Sequence, residues 1–200
     1  MIEEEPDGEQ QRRMILMLAG FTITGMPLIA MIIDAFADSF SMSERLVSGI
    51  PWYGQLGSGL ILGFVFGAVA QFISERRFMQ KVNVKYSRMI SDLQLNTSEI
   101  VFISLCAGVG EEVLFRGALQ PLLGVIITAV VFVAIHGYLN PKDWRISVYG
   151  VYMTGVIIGL GYATEYLGIW TAVVAHTVID LYLLRRMKFD QATSPSSESD

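Results

Sequence analysis

Six ionisable side chains stand within or beside otherwise apolar stretches of this sequence: Glu111, Glu112, Arg116, His136, His176 and Asp180. An ionisable group at the centre of a bilayer costs about 2.5–3.5 kcal/mol on insertion scales, so such groups pair, face a watery cavity and mark a functional site by default. His136 and His176 are the only histidines in the chain. Residues four apart share a helix face. Glu112 and Arg116 are so spaced and can form an ion pair. His176 and Asp180 are so spaced, and the aspartate can orient the imidazole. Phe132 places an aromatic wall beside His136 by the same spacing. Glu111 lies about 100° around the helix from Glu112 and has no partner of its own there. Glu112 therefore reads as the arginine-paired support and Glu111 as the reactive carboxylate. These types suit hydrolysis. Water is a poor nucleophile and needs a base, and imidazoles can position it or donate to a developing oxyanion. Glu111, His136 and His176 can also supply three ligands to zinc and leave the fourth position to water. No H-E-x-x-H helix fixes two of those ligands together, however.

Positioning such groups requires a scaffold, and the composition says that its solvent is lipid. Hydrophobic residues make up 52% of the 200, charged residues only 16%, and mean hydropathy is +0.49. A soluble domain carries about 25% charged residues. Six apolar segments emerge: Met14–Phe36, Leu56–Ile73, Ile100 to about Gln120, Val125 to about Leu139, Ile146–Ala163 and Ile169–Leu184. A spanning helix needs about 20 residues, and the fourth segment is short by that measure. The expected fold is all-α: a polytopic bundle of about six transmembrane helices over residues 14–185. Cytoplasmic tails, 1–13 and 186–200, are expected to be disordered because they are polar and charged. Much of the acid behind the net charge of -5 lies in these tails. The first apolar run lacks a small-residue cleavage site and reads as a permanent anchor.

Basic residues test this map. With both termini inside, Arg12, Arg13, Arg76, Arg77, Lys81, Lys85, Arg88, Lys142, Arg145, Arg185, Arg186 and Lys188 all face the cytoplasm. Only Arg45 falls in an outer loop, and Arg116 lies within a helix, as the positive-inside rule favours. The partners implied are the lipid bilayer and a membrane-associated protein or peptide. Nucleic acid is excluded, because no soluble basic and aromatic surface exists to bind it. The long loop from Ser74 to Ser98 can form an amphipathic helix on the inner membrane surface, or it can merely set topology. Gly57, Gly59, Gly63 and Gly67 can mediate close helix packing within the chain or between chains. The single cysteine, Cys106, excludes an internal disulfide and reads as a small buried hydrophobe. Depth is consistent with one shared site. Gln120-Pro121-Leu122-Leu123-Gly124 reads as a turn, and Glu111 and His136 both lie about 15–18 Å from it at 1.5 Å per residue.

Three motifs occur in order on successive apolar segments. Glu111-Glu112-Val113-Leu114-Phe115-Arg116 fits E-E-x-x-x-R, Phe132 to His136 fits F-x-x-x-H, and His176 to Asp180 fits H-x-x-x-[N/D]. In this combination the chain resembles the CAAX protease and bacteriocin-processing family, also called the Abi family, over roughly residues 100–184. The resemblance implies an intramembrane endopeptidase, historically classed with the metalloproteases, whose substrates include prenylated proteins in one branch. It implies that Glu111 with His136 activates water, that His176 and residue 180 stabilise the oxyanion, and that Glu112 and Arg116 support the site. The prenyl-protease branch has asparagine at the last motif position, where this chain has Asp180. An ionised aspartate cannot donate to an oxyanion. The competing readings are a zinc-dependent form of the same hydrolysis, a non-catalytic immunity or peptide-binding membrane protein, a proton-coupled carrier, and a cysteine protease built on Cys106.

Overall fold

Backbone in lipid must satisfy its own hydrogen bonds, and a single chain segment does so only as helix. The apolar runs follow that rule. The computed structural model describes residues 8–37 and 41–192, and every regular element among them is helical. The order is α1 (Gly8–Phe36), α2 (Met42–Val47), α3 (Trp52–Ser74), α4 (Gln80–Asp92), α5 (Thr97–Glu112), α6 (Gln120–Leu123), α7 (Val125–Ile135), α8 (Trp144–Leu167) and α9 (Ile169–Ala192). A 3-10 turn, Arg77–Met79, leads into α4, and a π-helical stretch, Val113–Leu119, joins α5 to α6. The protein is an all-α membrane bundle. Three of its helices, α1, α3 and α8, are each long and apolar enough to cross a bilayer.

Several boundaries differ from the sequence expectation. Helix α1 begins at Gly8, so residues expected in a tail belong to it; residues 1–7 lie outside the described part. Helix α9 likewise continues past Arg185 to Ala192, and residues 193–200 lie outside the described part. The fourth apolar segment stops being helix at Ile135, not Leu139. Gly137 is the cause: it turns the chain at φ 75°, which glycine tolerates without a steric penalty. The loop after α3 is mostly helix α4.

Helix α9 is the central element. Its Ala172, Ala175 and Ile179 are buried, and α3 and α5 both pack on it. Glycines permit that closeness. A Cβ at Gly59 would sit 2.7 Å from Val174 and 2.8 Å from the Thr171 carbonyl. One at Gly63 would sit 2.6 Å from Val178 and 2.8 Å from the Ala175 carbonyl. Gly67 faces Tyr182, whereas Gly57 faces open space. Three of the four glycines are thus engaged within the chain. On the α5 side, a Cβ at Gly108 would run into Thr177. Cys106 is buried and unbonded.

One end of α5 is fixed by polar contacts. Asn96 and Glu99 form a capping box, with the Glu99 amide donating to Asn96 at 2.9 Å and the Asn96 amide donating to Glu99 at 2.8 Å. Arg12 of α1 donates from Nε and Nη2 to the same Glu99 carboxylate, at 3.0 and 2.5 Å. The Arg12 guanidinium holds the Glu99 carboxyl below the usual carboxylate range, and the Asn96 amide adds to the effect.

Candidate active site

The sequence places its carboxylates at the end of α5, one imidazole at the end of α7 and the other in α9. The packing of those helices brings all six expected residues into one connected cluster. Glu112 lies at its base. It is fully buried, and Arg116 beside it is 1% exposed. Glu112 Oε2 approaches Arg116 Nε at 3.1 Å, close enough for an ion pair but without hydrogen-bond alignment. The guanidinium also lies 5.4 Å from the centre of the Phe132 ring. The other Glu112 oxygen accepts from His176 Nδ1 at 2.8 Å. Glu112 therefore bridges the arginine and one imidazole. It orients His176 more directly than Asp180, whose Oδ2 stands 3.6 Å from His176 Nε2.

His136 is oriented by backbone. Its Nδ1 donates to the Phe132 carbonyl at 2.7 Å, and its ring stacks on Phe132 at 4.4 Å. With both Nδ1 atoms engaged as donors, each neutral imidazole presents an Nε2 lone pair. Both lone pairs face Glu111. Its Oε2 stands 3.5 Å from His136 Nε2 and 3.9 Å from His176 Nε2. That oxygen is buried and has no hydrogen-bond partner in the protein. Three acceptors converge at distances too long for direct hydrogen bonds. A water molecule, with two O–H donors, satisfies two of the three, and a proton on His176 Nε2 would satisfy the third by donating to the water oxygen. The same donor types suit zinc, yet among the described residues no group of three His, Cys, Asp or Glu is placed to hold a metal ion.

Sequence reasoning missed Tyr138. Gly137 folds the chain so that the Tyr138 ring lies parallel to His136, with centres 6.3 Å apart and planes 4° apart. Tyr149 packs edge-on to Tyr138 at 5.6 Å. The available signal was the glycine directly after the histidine. Tyr138, Tyr149 and Asp180 also line a cavity of about 360 Å³. Its remaining wall is mostly apolar, including Met79, Ile103 and Leu184, and α4 forms one side of it. Asp180 connects the cavity to the carboxylate and imidazole cluster.

Residues 93–182 match the family model described as type II CAAX prenyl endopeptidase, Rce1-like. This part of the chain is similar to that family. All six site residues fall within the Rce1-like segment. YpbD, an uncharacterised protein of Bacillus subtilis (strain 168), is 30% identical over 93 residues, which is 46% of this chain and 47% of YpbD. The match thus spans about half the length of that curated relative. No solved structure matches the chain.

Proposed function

We propose that this protein hydrolyses a peptide bond of a membrane-associated substrate with water activated by Glu111. The observation that carries the reading is the buried, unpartnered Glu111 Oε2 facing the Nε2 atoms of both histidines. A water held there donates to Glu111 and is aligned by His136. Glu111 takes its proton as the oxygen attacks the carbonyl carbon, then delivers that proton to the departing amine nitrogen as the C–N bond breaks. His176 enters the reaction as the imidazolium, protonated at both nitrogens, and donates to the oxyanion from Nε2. The Glu112 carboxylate on Nδ1 stabilises the imidazolium that donation requires, as in other carboxylate–histidine pairs. Arg116 balances the buried charge of Glu112 and holds its orientation. Asp180 flanks His176 at the cavity side and needs no oxyanion role.

The apolar cavity beside Asp180 suits an apolar residue or a lipid-modified one, and the family's description makes a prenylated protein the first candidate. In the bilayer the chain is arranged with both termini in the cytoplasm and about six traverses between residues 14 and 185, in a cell membrane. The distribution of Lys and Arg supports that orientation. Helix α7 is an exception to full crossing. Its 11 residues rise about 16 Å, half of a 30 Å hydrocarbon core, so His136 stops at mid-depth. The deciding experiment is cleavage of a panel of membrane-delivered peptides, prenylated and unprenylated, by purified wild type and Glu111→Gln in detergent. Wild type is expected to cleave and the folded variant not to. Equal cleavage by both would remove Glu111 from the chemistry, and cleavage by neither would favour a peptide-binding role.

A further inference from the structure

Arg45 stands apart in the sequence as the one basic residue of an outer loop, and the endopeptidase chemistry makes no use of it. Its position in the fold does. The π-helical stretch follows directly on Glu111 and Glu112 and contains Arg116. In it the Gln120 amide donates to the Phe115 carbonyl, five residues back, instead of to Arg116 four residues back. The next residue is Pro121, which has no N–H. In an α-helical register, Pro121 would leave the Gly117 carbonyl without a donor. In the π register it leaves the Arg116 carbonyl without one. Arg45 Nε donates to the Arg116 carbonyl at 3.2 Å. The guanidinium thus fills the vacancy that belongs to the π register alone.

The surroundings hold Arg45 to that position. Its Nη2 pairs with Glu165 Oε1 of α8 at 2.8 Å. The same Glu165 oxygen accepts from Gln120 Nε2 at 2.6 Å, and Gln120 Nε2 also reaches the Gly161 carbonyl at 3.1 Å. Helix α2 itself is anchored at both ends. Its Met42 amide donates to Asp34 at 2.8 Å, and its Leu46 carbonyl accepts from Trp170 Nε1 at 2.9 Å.

We infer that Arg45, with Glu165 and Gln120, is a positioning clamp that holds the stretch after Glu112 in its π register and so sets the azimuth of Arg116 beneath Glu112 and His176. π-Bulges within helices frequently mark functional sites, and this one needs a donor from outside its own helix. The activity arm of the test rests on the endopeptidase reading; the structural arm does not. Amide exchange of residues 113–120 would be followed by mass spectrometry in detergent for wild type, Arg45→Met and Arg45→Lys, alongside steady-state cleavage. Arg45→Met is expected to speed exchange in that stretch by about tenfold, leaving α3 and α7 unchanged. It is expected to lower kcat by about tenfold or more with KM unchanged, and Arg45→Lys, which keeps a donor, should recover most of both. Unchanged exchange at 113–120 in folded Arg45→Met overturns the clamp. So does faster exchange spread evenly over all helices, which would mean general loosening. If wild type cleaves no peptide, the endopeptidase reading fails while the exchange result still decides the clamp.

Discussion

Removing the Arg116 cation should destabilise this protein more than any other single polar change. The side chain is 1% exposed and its partner Glu112 is fully buried, so Arg116→Met leaves a carboxylate without its main counter-charge. Two charges 3.1 Å apart attract by about 5 kcal/mol at an effective dielectric of 20. Breaking a buried pair from one side costs about 3–5 kcal/mol, a similar figure. For a chain of this size each kcal/mol moves the unfolding midpoint by about 2–4 °C, so a fall of about 10 °C is expected. The second half of the reasoning concerns Glu112→Gln combined with Arg116→Met. Glutamine keeps an oxygen for His176 Nδ1 but carries no charge. The double variant should therefore regain most of the lost stability while remaining poor at cleavage, because His176 loses its carboxylate. Thermal unfolding in one detergent, read by loss of helical circular dichroism, measures all three proteins. An Arg116→Met midpoint within about 2 °C of wild type, or a double variant less stable than the single, would refute the argument.

Other expectations follow from the same geometry. Cleavage should survive exhaustive chelation, with metal analysis finding far less than one ion per chain; activity lost to chelator and restored by zinc would instead make Glu111, His136 and His176 ligands. Because Arg12 lowers the Glu99 carboxyl, that pair contributes stability above the unfolded carboxyl's pKa, and the contribution fades as pH falls through the lower folded value. Unfolding midpoints between about pH 6 and 3 should show the drop in wild type and a flatter profile in Glu99→Gln. Gly110→Ala would push a Cβ into the Thr22 carbonyl of α1, so a loss of about 1–3 kcal/mol is expected, with activity falling further because Glu111 is the next residue. Gly57→Ala, which meets nothing, is the matched control.

The helices and the site residues were legible in the sequence for separate reasons. Long apolar runs leave the backbone no alternative to helix, so α1, α3 and α8 could be placed closely. Charges amid such runs are costly, so Glu111, Glu112, Arg116, His136, His176 and Asp180 were conspicuous. Spacing of four residues anticipated the Glu112–Arg116 pair, which the structure places at 3.1 Å. What the sequence concealed depends on distant backbone. The α7 end at Ile135 and the return of Tyr138 onto His136 turn on the φ of Gly137. Periodicity within one helix cannot reveal that Glu112, rather than Asp180, is the closer partner of His176. The π register arises from a contact between α2 and the end of α5, remote in sequence, and no local pattern encodes it.

The glycines on either side of α9 bear on how the protein meets membranes of different thickness. Gly59 and Gly63 of α3 grip one flank, and Gly108 of α5 grips the other, each against backbone or β-branched side chains. Sliding α9 along its axis by one residue would drive a Val or Thr side chain into a neighbouring helix. His176 therefore cannot change depth independently of the other site residues. A thicker or thinner bilayer must tilt the bundle as a unit or deform the lipid around it. The distance between the Glu111 site and the membrane surface then behaves as a fixed ruler, read from the protein and not from the lipid.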